Sequence, residues 1–164
     1  MPPLPVPADN PPTAETVALG RRLYYDPALS ADNTISCASC HSPQAGFTDR
    51  NKVSLGVGQK KGTRHSPTVI NSAYCAFQFW DGRAPTLEEQ AKGPIANPVE
   101  MASTHADVVK RVQANPQYVA LFKQAWGTDQ ITIDLVVKSI ASFERTVLSG
   151  NSPFDRFYYG HDKK

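Results

Sequence analysis

The sequence predicts a mostly α-helical single domain of about five helices joined by long loops, and three observations carry that expectation. Apolar residues recur at three- and four-residue spacing in several separate segments, most of them bounded by a Thr, Pro or Gly signal. A stretch of 25 residues, 43–67, shows almost no periodicity but holds four glycines and two prolines. The chain of 164 residues, 40% hydrophobic and 20% charged, is long enough for one substantial core.

Residues 1–12, MPPLPVPADNPP, read as a Pro-rich extension, ordered only where it lies on the body of the domain. They contain neither a basic segment nor an apolar core of the kind a signal peptide needs. The domain proper is taken as 13–164. Thr13 caps a helix through ETVALGRRLYY, with Val17, Leu19 or Gly20, Leu23 and Tyr24 on one face, and Asp26-Pro27 ends it. A turn-rich stretch then leads into CASCH, residues 37–41, expected on a short helix. Gly46, Gly56, Gly58 and Gly62, between Pro43 and Pro67, mark a shaped loop of a length that usually wraps something.

SPTVINSAYCAFQFW reads as a helix or a mixed segment. Thr86 and Glu89 form a capping box for TLEEQA, and GPIANPVEM reads as a Pro-broken loop. Thr104 with Asp107 opens a helix over ADVVKRVQA, and Pro116 both stops it and starts QYVALFKQAW. Thr132 opens the last helix, IDLVVKSIASFERTVL, whose Leu135, Ile140, Phe143 and Val147 share a face and which Gly150 terminates.

Composition narrows the function. A net charge of +2 with scattered Lys and Arg argues against nucleic acid as a partner. No apolar run is long enough to span a membrane. Three cysteines cannot build a disulfide framework, yet two of them sit three residues apart beside a histidine.

Cys-x-x-Cys-His is the attachment sequence of c-type haem. One helical turn brings the sulfurs of Cys37 and Cys40 to one side, where they can add to the two vinyl groups of a porphyrin, and His41 then supplies the proximal iron ligand. A thioredoxin-like dithiol lacks the βαβ pattern it needs. A zinc site would have to recruit His65 and Cys75, which are badly spaced. A plain disulfide leaves His41 without a role. The long loop becomes, on this reading, a haem-wrapping one. Of the remaining candidates, Cys75 reads as a small buried hydrophobe, and His105 and His161 as solvated rings.

LGRRLYYDPALS, TISCASCH, GFTD, GTRHSPTVINSAY, QFWDGRAPTLEEQAKGPIANPVEM and FERTVLSGNSPFDRFYYG together resemble the bacterial di-haem cytochrome c peroxidases. They are equally similar to the related di-haem enzymes that mature tryptophan tryptophylquinone. The likeness runs from about Leu19 to Gly160 and covers only the N-terminal, peroxidatic haem domain of that family. It implies a cytochrome c-like domain with one covalent haem c. Glu100 is implied as the distal acid that manages protons, Trp80 as a residue of the electron path between haems, and Arg64 as part of the distal loop. Where many family members carry a histidine as a reversible sixth ligand, this chain has Val57, which cannot bind iron. Their Arg-Asn-Ser-Pro is here Arg-His-Ser-Pro, and the changed residue, His65, puts the family's calcium site in doubt.

Two classes of function are consistent with these residues, and the sequence leaves open whether the chain is an enzyme. The favoured one is a peroxidase-like oxidoreductase that reduces hydrogen peroxide at an open iron, with electrons from a small redox protein or another haem domain. The other is a mono-haem electron carrier with Met101 or His65 as sixth ligand. A third expectation concerns partners: the chain works as a subunit or fragment beside a second haem domain, or as a homodimer. Haem attachment by this motif takes place outside the cytoplasm, so the expected location is the periplasm, with the signal peptide removed from the mature chain.

Overall fold

Two helices of twelve residues frame the domain in this computed structural model, which describes residues 1–160. The first, α1 (Ala14–Tyr25), starts at Thr13, whose hydroxyl accepts the Thr16 N–H while Thr16 Oγ1 accepts the Thr13 N–H. Leu19, Gly20, Leu23 and Tyr24 form its buried stripe. In order after it come α2 (Cys37–Cys40), α3 (Leu87–Ala96), α4 (His105–Gln113), α5 (Pro116–Trp126), α6 (Ile133–Glu144) and α7 (Pro153–Tyr158). The five helices of nine residues or more are those the periodicity predicts. The single turn α2 carries CASC, and α7 was not expected.

α1 packs most extensively on α6, whose buried face holds Val136, Val137, Ile140, Ala141 and Phe143. Gly20 permits their approach: a Cβ there would stand 1.8 Å from the Ser139 carbonyl oxygen. Leu87, Ala91 and Ile95 of α3, Val108 and Val112 of α4, and Tyr118 and Phe122 of α5 complete the buried helix faces.

Several expectations need correction. GPIANPVEM is not a broken loop throughout, because α3 continues through Gly93, Pro94 and Ile95 to Ala96. Pro94 lacks the N–H that would bond Gln90, but the chain that follows doubles back: Asn97 N–H donates to Gly93 O (3.0 Å), Met101 N–H to Pro94 O (3.2 Å) and Ser103 N–H to Ile95 O (3.0 Å). Of the capping box at Thr86, one half forms: Thr86 Oγ1 accepts the Glu89 N–H, while Glu89 Oε1 holds Lys92. The last helix stops at Glu144 rather than near Gly150, so Val147 packs on the core from beyond the helix. SPTVINSAYCAFQFW is the mixed segment, with one 3-10 turn at Ser72–Tyr74 and left-handed backbone at Asn71 and Phe79. Cys75 is exposed, not a buried hydrophobe, because it leaves that turn in extended backbone. His105 is half-buried, its Nε2 3.0 Å from the Lys92 carbonyl. His161 lies outside the described residues.

The Pro-rich start is held by Tyr74 at the Pro2 carbonyl, by Lys138 at Asp9 and, most deeply, at Asn10. Asn10 is fully buried, donating from Nδ2 to Glu88 Oε1 (2.6 Å) and Lys138 O (3.1 Å) and accepting from Ser142 Oγ (3.1 Å). Arg145, also buried, completes this cluster with a two-pronged pair to Glu88 at 2.8 and 3.2 Å.

Candidate haem site

CASCH sits on the single turn of α2, so the sulfurs of Cys37 and Cys40 lie three residues apart on one side. The turn is closed by Ser36 N–H donating to Ser39 Oγ (3.0 Å) and His41 N–H to Cys37 O (3.0 Å). From α1, the buried Tyr24 hydroxyl donates to the His41 carbonyl (2.9 Å) and anchors α2 to the core.

Both half-buried thiols and His41 line a cavity of about 430 Å³. Burial pushes both thiols above their ordinary range. Opposite them in the chain, the cavity is lined by the 54–69 loop, by Gln78 to Arg83, by Gln90, Ala91 and Pro94 of α3, and by Asn97 to Met101. α6 contributes Ile140 and Glu144.

His41 has one ring nitrogen committed. Its Nδ1 is 2.9 Å from the Pro67 carbonyl, so Nδ1 carries the proton and donates, leaving the Nε2 lone pair for another partner. Burial lowers the imidazole's pKa, against the opposing effect of the Pro67 bond, and keeps the ring neutral as a ligand must be.

Glu100 is half-buried and accepts from Asn97 Nδ2 (2.6 Å). Burial raises its pKa, with the Asn97 bond working the other way. Its carbonyl accepts the Val57 N–H (2.8 Å), and a Cβ on Gly56 would stand 2.4 Å from that same carbonyl oxygen. The Gly-Val-Gly tract is therefore docked directly on the Glu100 backbone, and Gly56 is needed for the approach. Next to Glu100, Met101 is only 3% exposed and belongs both to the core and to the cavity lining.

Trp80 is 64% exposed, with its indole N–H donating to the His65 carbonyl (2.7 Å). It lines the cavity without being buried. Arg64 pairs with Asp81 at 2.8 Å, and Arg83 holds the other Asp81 oxygen at 2.8 Å. The two guanidiniums bring the Asp81 carboxyl down to about 2. Both nitrogens of His65 are engaged, Nδ1 with Asn51 O (3.0 Å) and Nε2 with Thr48 Oγ1 (2.9 Å). Among the described residues no group of three or more His, Cys, Asp or Glu is placed to hold a metal ion.

The cavity suits a haem on an independent observation. Two buried side-chain oxygens lack any hydrogen-bond partner, Ser72 Oγ and Glu144 Oε2, and both residues line it. Orphaned polar atoms around a largely apolar cavity, with two thiols and a neutral imidazole on one wall, fit a porphyrin that is apolar in its body and polar at its edge. Sequence reading missed Gln90, Ser72, Glu144 and the Pro67 carbonyl. A carboxylate on the apolar stripe of α6 was the signal for Glu144, while a backbone carbonyl leaves none.

Comparison with known proteins agrees with this geometry. The family profile described as di-haem cytochrome c peroxidase matches residues 14–163. A cytochrome c551 peroxidase from Nitrosomonas europaea is 46% identical over 95% of this chain and 47% of its own length. The methylamine utilization protein MauG of Methylorubrum extorquens is 44% identical over 97% of this chain and 45% of its own. A crystal structure of a MauG-like protein associated with microbial copper homeostasis superposes with a TM-score of 0.90 at 34% identity, covering 100% of this chain and 49% of that one. The chain thus spans about half the length of these relatives.

Proposed function

The chain belongs to the di-haem cytochrome c peroxidase family, and from that premise we propose that it binds one haem c and reduces hydrogen peroxide with electrons from an external donor. Cys37 and Cys40 would hold the haem by thioether bonds and His41 by its Nε2. When bound, the haem supplies an iron that takes peroxide and passes electrons. The observation that carries this reading is the Nδ1 bond from His41 to Pro67, which reserves Nε2 beside two thiols in one cavity.

The chain's own residues would do the rest. The Pro67 carbonyl fixes the tautomer and orientation of His41. Glu100, raised toward neutrality by burial and oriented by Asn97, is suited to take a proton from one peroxide oxygen and return it to the other. Val57, whose side chain cannot ligate iron, would leave peroxide free to reach the haem. Trp80, with Phe77 also exposed near it in the chain, offers an aromatic surface through which electrons could arrive. Arg64, held on Asp81, would order that side of the loop.

The donor is proposed to be a small redox protein, a second haem domain, or a second copy of the chain. Specific activity that rises with protein concentration would favour the copy-to-copy arrangement, and constant activity from a monomer would count against it. The proposed location is the periplasm. No calcium site is proposed, since His65 offers ring nitrogens where calcium takes oxygen ligands.

The deciding measurement is the electron paramagnetic resonance spectrum of the purified ferric protein at neutral pH. A high-spin signal is expected. A low-spin signal would replace this reading with the electron-carrier one, and buried Met101 would then be the first ligand to test. In the high-spin case, Glu100→Gln should lower the rate of peroxide consumption about 10²- to 10⁴-fold with haem content unchanged.

A further inference from the structure

We propose that Glu144 is the proton-loading group of this site: its carboxylate takes one proton from solvent when the haem iron gains an electron, and gives it back on reoxidation. The proposal rests on reading the cavity as a haem site.

Glu144 is 5% exposed, lines the cavity with Cys37, Cys40 and His41, and has an Oε2 that meets no donor. A buried carboxylate in that position is costly unless a charge compensates it. The charged and titratable groups around it do not. On its own element, Arg145 spends its guanidinium on Glu88, through Nη1 at 2.8 Å and Nη2 at 3.2 Å. From α3, Glu88 is itself an anion. From α1, Tyr24 donates its hydroxyl to the His41 carbonyl. From α2, Cys37 has a buried thiol whose pKa is raised, and thioether formation removes it from titration altogether.

The protein alone therefore leaves Glu144 near its switching point. Burial pushes its pKa up to about 8, with Arg145 pulling down and Glu88 pushing further up. The charge that decides its state is the one the cavity would receive. A ferric porphyrin centre carries a positive charge that favours the carboxylate, and one electron removes that charge. Within a cavity of this size, such a change alters the proton affinity of a buried carboxyl by about tenfold or more. The balance is simple: one electron from the donor converts ferric to ferrous iron, one solvent proton converts the Glu144 carboxylate to the acid, and the net charge of the interior is unchanged.

The consequence is electrochemical. The midpoint potential of the haem-loaded protein, followed spectroscopically from about pH 6 to about pH 9, should fall with rising pH over part of that range. Full coupling is a tenfold loss of electron affinity per pH unit, or about 59 mV. Glu144→Gln, isosteric and unable to ionise, should be flat over the same interval, while Glu100→Gln keeps the wild-type slope. An undiminished slope in Glu144→Gln overturns the proposal, as does its loss in Glu100→Gln alone. Should Glu144→Gln fail to fold, the reduced-minus-oxidised infrared spectrum of the wild-type protein decides instead. A protonated-carboxyl band gained on reduction supports the proposal, and its absence overturns it. A chain that accepts no haem overturns both readings, whereas a haem-loaded protein with no such coupling overturns this one alone.

Discussion

The Glu88–Arg145 pair shows how single residues set the molecule's response to acid. Burial alone would raise the Glu88 carboxyl, but hydrogen bonds from Arg145 and Asn10 outweigh it and hold the carboxyl below its ordinary 4.5. The unfolded chain therefore takes up the proton first as pH falls. Stability from this carboxylate is complete above about pH 4.5 and is lost as pH drops through the lower, folded value. Glu88→Gln should remove that acid-side dependence. At neutral pH it should also cost about 3–5 kcal/mol, because it strands a buried guanidinium. Urea titrations of both proteins at acid and neutral pH measure the two effects separately. Glu144 acts in the opposite sense. With a folded value raised to about 8, it withdraws stability as pH climbs from the ordinary carboxylate range toward that value.

At the scale of elements, the α1–α6 contact is the joint on which the cavity depends, since α1 leads to the CASCH turn and α6 supplies Ile140 and Glu144 to its lining. Gly20→Ala would drive a methyl into the Ser139 carbonyl and should destabilise by about 3 kcal/mol or more, read as a lowered urea midpoint with unchanged slope. Much of this layer was legible in the sequence. Thr13, Thr104 and Thr132 each sit where a hydroxyl meets a free helical N–H, and in the structure each accepts one. Pro94 misled because the proline rule is local, while the turn it should have broken is held by bonds from residues 97–103. α6 was overextended because Val147 keeps the apolar character of the helix after the helix has ended. Cys37, Cys40 and His41, singled out by their spacing, do come together on one cavity wall. The Pro67 carbonyl was not legible, because every residue has one and only the folded loop selects it.

For the whole molecule, the cavity is walled by α2, α3, α6 and two loops, so a ligand held there would touch most of the fold. If the proposed haem is held there, replacing both Cys37 and Cys40 with Ser should abolish its covalent attachment and its contacts across a cavity of about 430 Å³. The expected cost is several kcal/mol, or a fall in Tm of about 10 °C or more by calorimetry. No helix among the described residues is long and apolar enough to cross a membrane. Besides Tyr25, the exposed aromatic rings among the described residues fall in two sequence regions, Phe77 with Trp80 and Phe154 to Tyr159. The buried tie between Asn10, Glu88, Ser142 and Arg145 has a further consequence, for the order of assembly. It joins Asn10, ahead of α1, to Arg145, roughly a hundred positions after CASCH. The tie can close only once α3, α6 and the segment ahead of α1 have come together. Closure of the fold is therefore a long-range event, made by residues from far apart in sequence rather than by neighbours.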